Sequence, residues 1–180
     1  MPTDSLIVDT ARGEFRKIKA LADKAIAQLP DDVIHVRIDA EANSVAVIMR
    51  HMAGNMRSRW VDFLVADGEK PTRMRDQEFE DTSLTRDRLL AEWEAGWQCV
   101  FDALAPLTDA DLSRTVVIRS EPLNVATAIS RQTSHYAGHA YQILLLGKHL
   151  LGPAWKTLSI PRGQSEEFNK HMLAKLRANG

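Results

Sequence analysis

The sequence predicts an all-α fold, a four-helix bundle with an irregular arm and a short extra helix at its C-terminus. Three observations carry that prediction. Four long stretches place apolar residues three and four positions apart, the pattern of a helix with one buried face. Capping residues, Gly or Pro bound these stretches. Alternating β-branched residues are confined to two short segments, too little for a β domain. Amphipathic helices bury their stripes against one another, and four of them do so as a bundle, here with one or two longer crossovers.

In chain order, the first helix spans Ser5 to Leu29, with Phe15, Ile18, Ala22, Ala25 and Leu29 on its stripe and Pro30 ending it. Val33, Ile34, Val36 and Ile38 then alternate briefly, which reads as an extended connection with a short strand, and His35 lies there outside the helices. A second helix runs from Ser44 to about Ala66, capped by Asn43 or Ser44 and stopped by Asp67-Gly68, with His51 in its second turn. The polar segment GEKPTRMRDQEFED holds Pro71 and lacks periodicity, so it is a loop, after which Asp81, Thr82 or Ser83 caps a third helix over Leu84 to Leu104. Trp93, Trp97, Val100, Phe101 and Leu104 form its aromatic stripe and read as core, with Cys99 beside them as a small buried hydrophobe.

Thr108 to Asp111 resembles a capping box opening a short turn, and TVVIR has the content of a brief strand before Glu121-Pro122. The fourth helix covers about Asn124 to Leu151, with Val125, Ile129, Tyr136, Ala140, Ile143, Gly147 and Leu150 facing inward and Gly152-Pro153 ending it. AWKTLSIPRGQS is an arm with Trp155 and Leu158 to bury, and Ser165 caps a terminal helix through Lys175 with Glu166 and Glu167 in its first turn.

At 180 residues and 44% hydrophobic, residues 1–180 make one domain with a sizeable core. The net charge of -1, from 23 basic and 24 acidic residues interspersed, gives no sustained field for nucleic acid or an anionic membrane. No apolar run approaches the roughly 18 residues of a membrane span, and MPTDSLIVDTARG lacks the basic and apolar regions of a signal peptide, so a cytoplasmic location is expected. Cys99 is the sole cysteine, which excludes an intrachain disulfide and a thiolate cluster. A metal would have to use imidazole, carboxylate and water.

That requirement directs attention to His51, His135 and His139. His135 and His139 are one turn apart on the fourth helix, so their Cβ atoms lie about 6 Å apart on one face and both rings can reach one ion. His51, flanked by Val47, Ile48 and Met52, sits at the core boundary of a neighbouring helix and would complete a set of three. Three protein ligands leave positions open for water or substrate, the arrangement of a catalytic metal. Each histidine alone reads more simply as a partly buried, hydrogen-bonded residue, and the convergence of three is what favours a metal. His35, His149 and His171 fall outside the set. Asn55, Arg131, Gln132 and Gln142 share these faces as candidates for outer-shell or substrate contacts. Gly54 and Gly138, each costing about 1 kcal/mol in a helix interior, imply close helix approach or substrate clearance. Arg73, Arg75, Asp76, Glu78 and Glu80 read most simply as a solvated loop with internal ion pairs, and alternatively as a lid over the metal mouth.

HMAGNMRSRW, DGEKPTRMRDQEF, RQTSHYAGHAYQI and WKTLSIPRGQSEEFN together resemble the DinB/YfiT-like superfamily of metalloenzymes, in particular a bacterial branch of unknown function. The resemblance implies an up-down-down-up bundle, with metal held by one histidine of the second helix and an HxxxH pair of the fourth, positions that His51, His135 and His139 match. It also implies a choice of activities, since members include S-transferases using bacillithiol or mycothiol, a thiol-dependent maleylpyruvate isomerase and many proteins of unknown activity. It implies a homodimer as well.

From this we expect a thiol-dependent S-transferase in which a divalent ion activates a low-molecular-weight thiol cosubstrate toward a small-molecule electrophile. The alternatives are a hydrolase using metal-bound water, which lacks an HExxH-type base here, and a non-catalytic metal-binding bundle. Three imidazoles suit zinc, nickel, iron or copper.

Overall fold

The computed structural model describes residues 5–81 and 83–178, and it is mostly helical. Five helices, α1 (Leu6–Ile26), α2 (Val45–Trp60), α3 (Arg86–Leu104), α4 (Val125–Leu151) and α5 (Ser165–Ala178), are joined by one small sheet of β1 (Thr115–Ile118) and β2 (Glu121–Asn124). No helix among the described residues is long and apolar enough to cross a membrane.

Helix ends fix the directions of the long helices. Near the start of α1, Arg12 donates to the carbonyls of Leu104, Ala105 and Leu107 at the end of α3. At the start of α3, Arg86 does the same for Ile26 and Leu29 at the end of α1. Such reciprocal capping holds α1 and α3 antiparallel. Asp109, from the turn after α3, accepts from the backbone N–H groups of Ile7 and Val8 and so caps α1 from outside. α2 packs along α3, where Gly96 lets the helices meet: a Cβ there would lie 2.9 Å from the Ala53 Cα. α4 closes the group against α1 and α2.

The core between them holds Phe15, Trp60, Trp93, Trp97 and Tyr136, each almost fully buried. Phe15 packs edge-on to Trp60 at 5.7 Å and lies 5.9 Å from Tyr136, so one aromatic layer contains side chains of α1, α2 and α4. Trp60 Nε1 donates to Tyr136 Oη at 2.9 Å, and that hydroxyl donates to Asn55 Oδ1 at 3.0 Å, while the buried Trp97 Nε1 has no partner among the described residues. The expected aromatic stripe of α3 is buried, apart from a half-buried Phe101. Cys99 is also half-buried rather than core, and burial raises its pKa.

Several boundaries depart from expectation. Residues 31–42 form turns, with no strand, because Val33 and Ile34 close a one-turn coil on the Pro30 carbonyl. α2 ends at Trp60 and not near Ala66: Val61 is extended and Asp62 left-handed (φ 52°). That exit lets residues 67–69 reach the hairpin, where the Gly68 N–H donates to the Val117 carbonyl at 2.7 Å. Tertiary pairing thus overrides helix propensity. α3 starts later than expected, with Thr85 as its cap in place of Asp81 or Ser83, while Thr82 lies outside the described residues. The capping box of Thr108 and Asp111 forms, and β1 forms where expected. β2 was unexpected. Its turn residues Arg119 and Ser120 are both left-handed (φ 55° and 61°), an arrangement suited to a two-residue hairpin. Asp67 steadies that turn by accepting from both backbone N–H groups at 2.8 Å.

Trp155 and Leu158 of the arm pack partly on the core. α5 extends to Ala178 and is exposed along its described side chains, including Phe168, Met172, Leu173 and Leu176.

Candidate metal centre

α2 and α4 place the histidines. Ser44 caps α2 by accepting from the Val47 N–H, and the stripe of Ile48, Met52 and Met56 turns His51 to the inner edge, where it is 5% exposed. Asn124 caps α4 in the same way at Thr127, and burial of Tyr136, Ala140 and Ile143 puts His135 and His139 at the half-buried edge of that helix. Their ligand atoms all lie within 4.8 Å of one another, close enough to hold one metal ion.

The Nε2 atoms carry the convergence. His135 Nε2 is 3.4 Å from that of His51 and 3.1 Å from that of His139. The far side of two rings is tied to an acceptor: His51 Nδ1 donates to Glu78 Oε2 at 3.0 Å, and His139 Nδ1 to Gln142 Oε1 at 2.8 Å. Protons on Nδ1 leave lone pairs on Nε2, aimed at the shared space. Burial first, then the neighbouring His139 and His51 and the cations of Arg59 and Arg73, pull His135 down to about 3, and burial also lowers His139. At neutral pH both are therefore neutral imidazoles, each with one ring nitrogen free to bind a cation. A divalent ion between the three rings would accept a lone pair from each of them. For metal–nitrogen bonds of about 2.0–2.1 Å the ligand–ligand edge is roughly 2.9 Å in an octahedron and roughly 3.3 Å in a tetrahedron, so the spacing fits a divalent ion.

A strap covering α2 completes the surroundings. Residues 67–80 cross the helix, with a short turn at Asp76–Phe79 packed on it. Glu78 is buried and held bidentately by Arg73, with two contacts of 2.8 Å. Burial pushes its carboxyl up, but Arg73 and His51 together hold it below the usual range. Glu69 gathers Arg59 and Arg119, each at 2.9 Å, with Arg73 3.6 Å away. Phe79 lies over His51 with ring centres 4.5 Å apart, and Arg75 covers the outer face of Phe79. The charged segment is therefore not a solvated loop: its central pair is buried against a candidate ligand. One signal did point to it. Gly54 is where the strap touches α2, since a Cβ there would lie 2.1 Å from Glu78 Oε1.

The other sequence candidates separate. Gln142 supports His139. Asn55 is bound to Tyr136, and Gln132 is buried with no hydrogen-bond partner for Oε1. Arg131 is exposed and pairs with Glu121 at 3.4 Å instead of touching a histidine. Gly138 has open space around it, so close helix approach does not explain it. A cavity of about 260 Å³ opens beside His51 and His135, with Asn55, Arg131 and Gln132 in its wall. A larger cavity, about 600 Å³, lies on the other side of the strap and contains none of the three histidines, so the smaller one belongs to the centre.

None of the curated proteins matches the chain in sequence. The model of a family described as a protein of unknown function (DUF1572) matches residues 3–164, from before α1 to just before α5, and the chain belongs to that family.

Proposed function

Starting from that membership, we propose that the chain is a metal-dependent enzyme of the DinB/YfiT-like type that transfers a low-molecular-weight thiol to an electrophile. The observation that carries this is the convergence of one ring nitrogen from each of His51, His135 and His139 within 4.8 Å. His51, His135 and His139 would hold the ion, with zinc, nickel or iron as candidates. Bound there, a divalent ion supplies Lewis acidity that lowers the pKa of a thiol or water at its open position.

The chain's own residues do the rest. Glu78 fixes the tautomer and orientation of His51, and Gln142 those of His139. The Trp60–Tyr136–Asn55 hydrogen bonds hold α2 against α4 directly beneath, so the spacing of the ligands does not depend on loops. Phe79 shields one face of His51 from water.

Thiol transfer ranks above hydrolysis for a structural reason. The wall of the histidine cavity contains no carboxylate, and Glu78 is occupied by Arg73 and His51, so a general base for water is lacking among the described residues. A thiolate needs none. The antiparallel pairing of α1 with α3 and the packing of α2 on α3 and of α4 on α1 support the up-down-down-up four-helix bundle as the architecture.

Elemental analysis of untagged protein beside His51→Ala and His139→Ala tests the reading. About one equivalent in the parent and none in either variant is expected, since the ligands act as one set. Metal-loaded parent should then consume bacillithiol, mycothiol or glutathione in the presence of a chlorinated aromatic electrophile. A parent that takes up no zinc, nickel or iron on reconstitution would overturn the proposal.

A further inference from the structure

The wall of the histidine cavity is far more cationic than the chain as a whole. Five of its nine residues are arginines, Arg59, Arg73, Arg75, Arg119 and Arg131, while the whole chain carries a net charge of only -1. They arrive from four places in the fold: α2, the strap, the hairpin turn and α4. None of the acids that pair with them lines the cavity.

The five divide by how fully they are used. Arg59 is committed to the Gly68 carbonyl, Ser58 and Glu69, and Arg73 holds Glu78, so these two build the wall. Arg119 gives only its Nε to Glu69, which leaves its terminal amino groups without a hydrogen bond among the described residues. Arg75 and Arg131 meet Asp76 and Glu121 only at 3.4 Å, and those acids are 98% and 62% exposed. Contacts of that kind are worth little and exchange readily for a better partner. Gln132, buried in the same wall, has an Oε1 with no partner.

We propose that this cavity binds the oxyanion of the substrate, a carboxylate or phosphate group, through Arg75, Arg119 and Arg131, with Gln132 taking a neighbouring polar group. This deepens the metal reading by naming a substrate class. Guanidinium forks from several elements suit a planar or tetrahedral oxyanion, and a cavity of about 260 Å³ is sized for one end of a small molecule. The recognition is local, which is why overall composition does not reveal it.

The test is calorimetric titration of inorganic phosphate, malonate and, as the uncharged control, malonamide into metal-reconstituted protein, with metal content measured on each sample. Binding of phosphate or malonate but not malonamide is expected, and the tighter of the two identifies the oxyanion. Arg131→Gln should weaken it roughly ten-fold while keeping the parent's metal content and melting temperature, and Arg119→Gln, which also gives up a bond to Glu69, should weaken it to a similar extent with metal content kept. Arg131 is exposed on α4, so its variant does not disturb the core. Metal-loaded parent that binds neither anion, or variants that bind as the parent does, would overturn this inference and leave the metal reading standing. Arginine-dependent anion binding by a protein that takes up no metal would support the cavity assignment and remove the metal reading instead.

Discussion

The two walls of the histidine centre are built by opposite means. On one side α2 and α4 meet through Trp60, Tyr136 and Phe15, an apolar layer with its few polar atoms paired. On the other, the strap and hairpin are held by Arg59, Glu69, Arg73, Glu78 and Arg119, a network of charge. The packed wall determines where the ligand atoms are. The ionic wall determines how His51 is oriented and what can approach it. A change to the first therefore removes the site with the fold, while a change to the second alters the site inside an intact fold.

The largest test of that difference is in the packed wall. Trp60→Ala removes a buried ring and leaves Tyr136 Oη without its donor, and it should cost about 3–5 kcal/mol in urea unfolding, with metal binding lost in parallel. In the ionic wall, Glu78→Gln keeps the shape but removes the charge facing Arg73 and His51. It should cost about 1–3 kcal/mol and weaken metal affinity by about 10–100-fold in a chelator competition, with the helical signal unchanged. Equal losses of fold in both variants would erase the distinction between the walls.

The same contrast governs what the sequence revealed. His51, His135 and His139 were legible because helical periodicity converts sequence spacing into position, and the starts of their helices, at Asn43 or Ser44 and at about Asn124, were legible from the residues that bound the pattern. Arg73, Glu78 and Phe79 were not, because no period ties an irregular segment to the surface it crosses. A charged run also reads as solvated until its partners are known. β2 was hidden by Pro122, which the edge of a two-stranded hairpin tolerates, and the early end of α2 by a pairing with the hairpin formed fifty residues later in the chain. Gln142 and Gln132 were flagged by their helical offsets from the histidines, whereas Arg119 had no such neighbour to mark it.

A smaller effect separates two glycines. Gly54→Ala gains up to about 1 kcal/mol of helix propensity but forces Glu78 away from α2, so stability should change by less than about 1 kcal/mol while metal affinity drops by roughly ten-fold. Gly138→Ala, between the two histidines of α4 but with open space around it, should gain the propensity and leave affinity unchanged. If Gly54→Ala bound metal as tightly as the parent, contact between Glu78 and α2 would be irrelevant to the centre.

The subtlest test is pH, because the walls titrate in different windows. His135 is pulled to about 3 by burial and by neighbouring His139 and His51, whereas an unfolded imidazole takes its proton near 6.5. Between those values the unfolded chain binds more protons, so stability of the metal-free protein falls as pH drops from 6.5 toward 3 and is insensitive to this group above 6.5. For Glu78, burial acts to raise the carboxyl and the bonds from Arg73 and His51 outweigh it, leaving it below its ordinary 4.5. Its contribution is present above that value and is lost only as pH falls through its lower folded value. Thermal melts of metal-free protein from pH 8 to 3 should thus show a decline beginning near 6.5 that persists in Glu78→Gln. The acid fall below 4.5, to which Asp67, Glu69 and Asp111 also contribute, should be shallower in that variant than in the parent. If Glu78→Gln also lost the decline that begins near 6.5, the histidines and the strap would be one coupled unit rather than two walls of different physical origin.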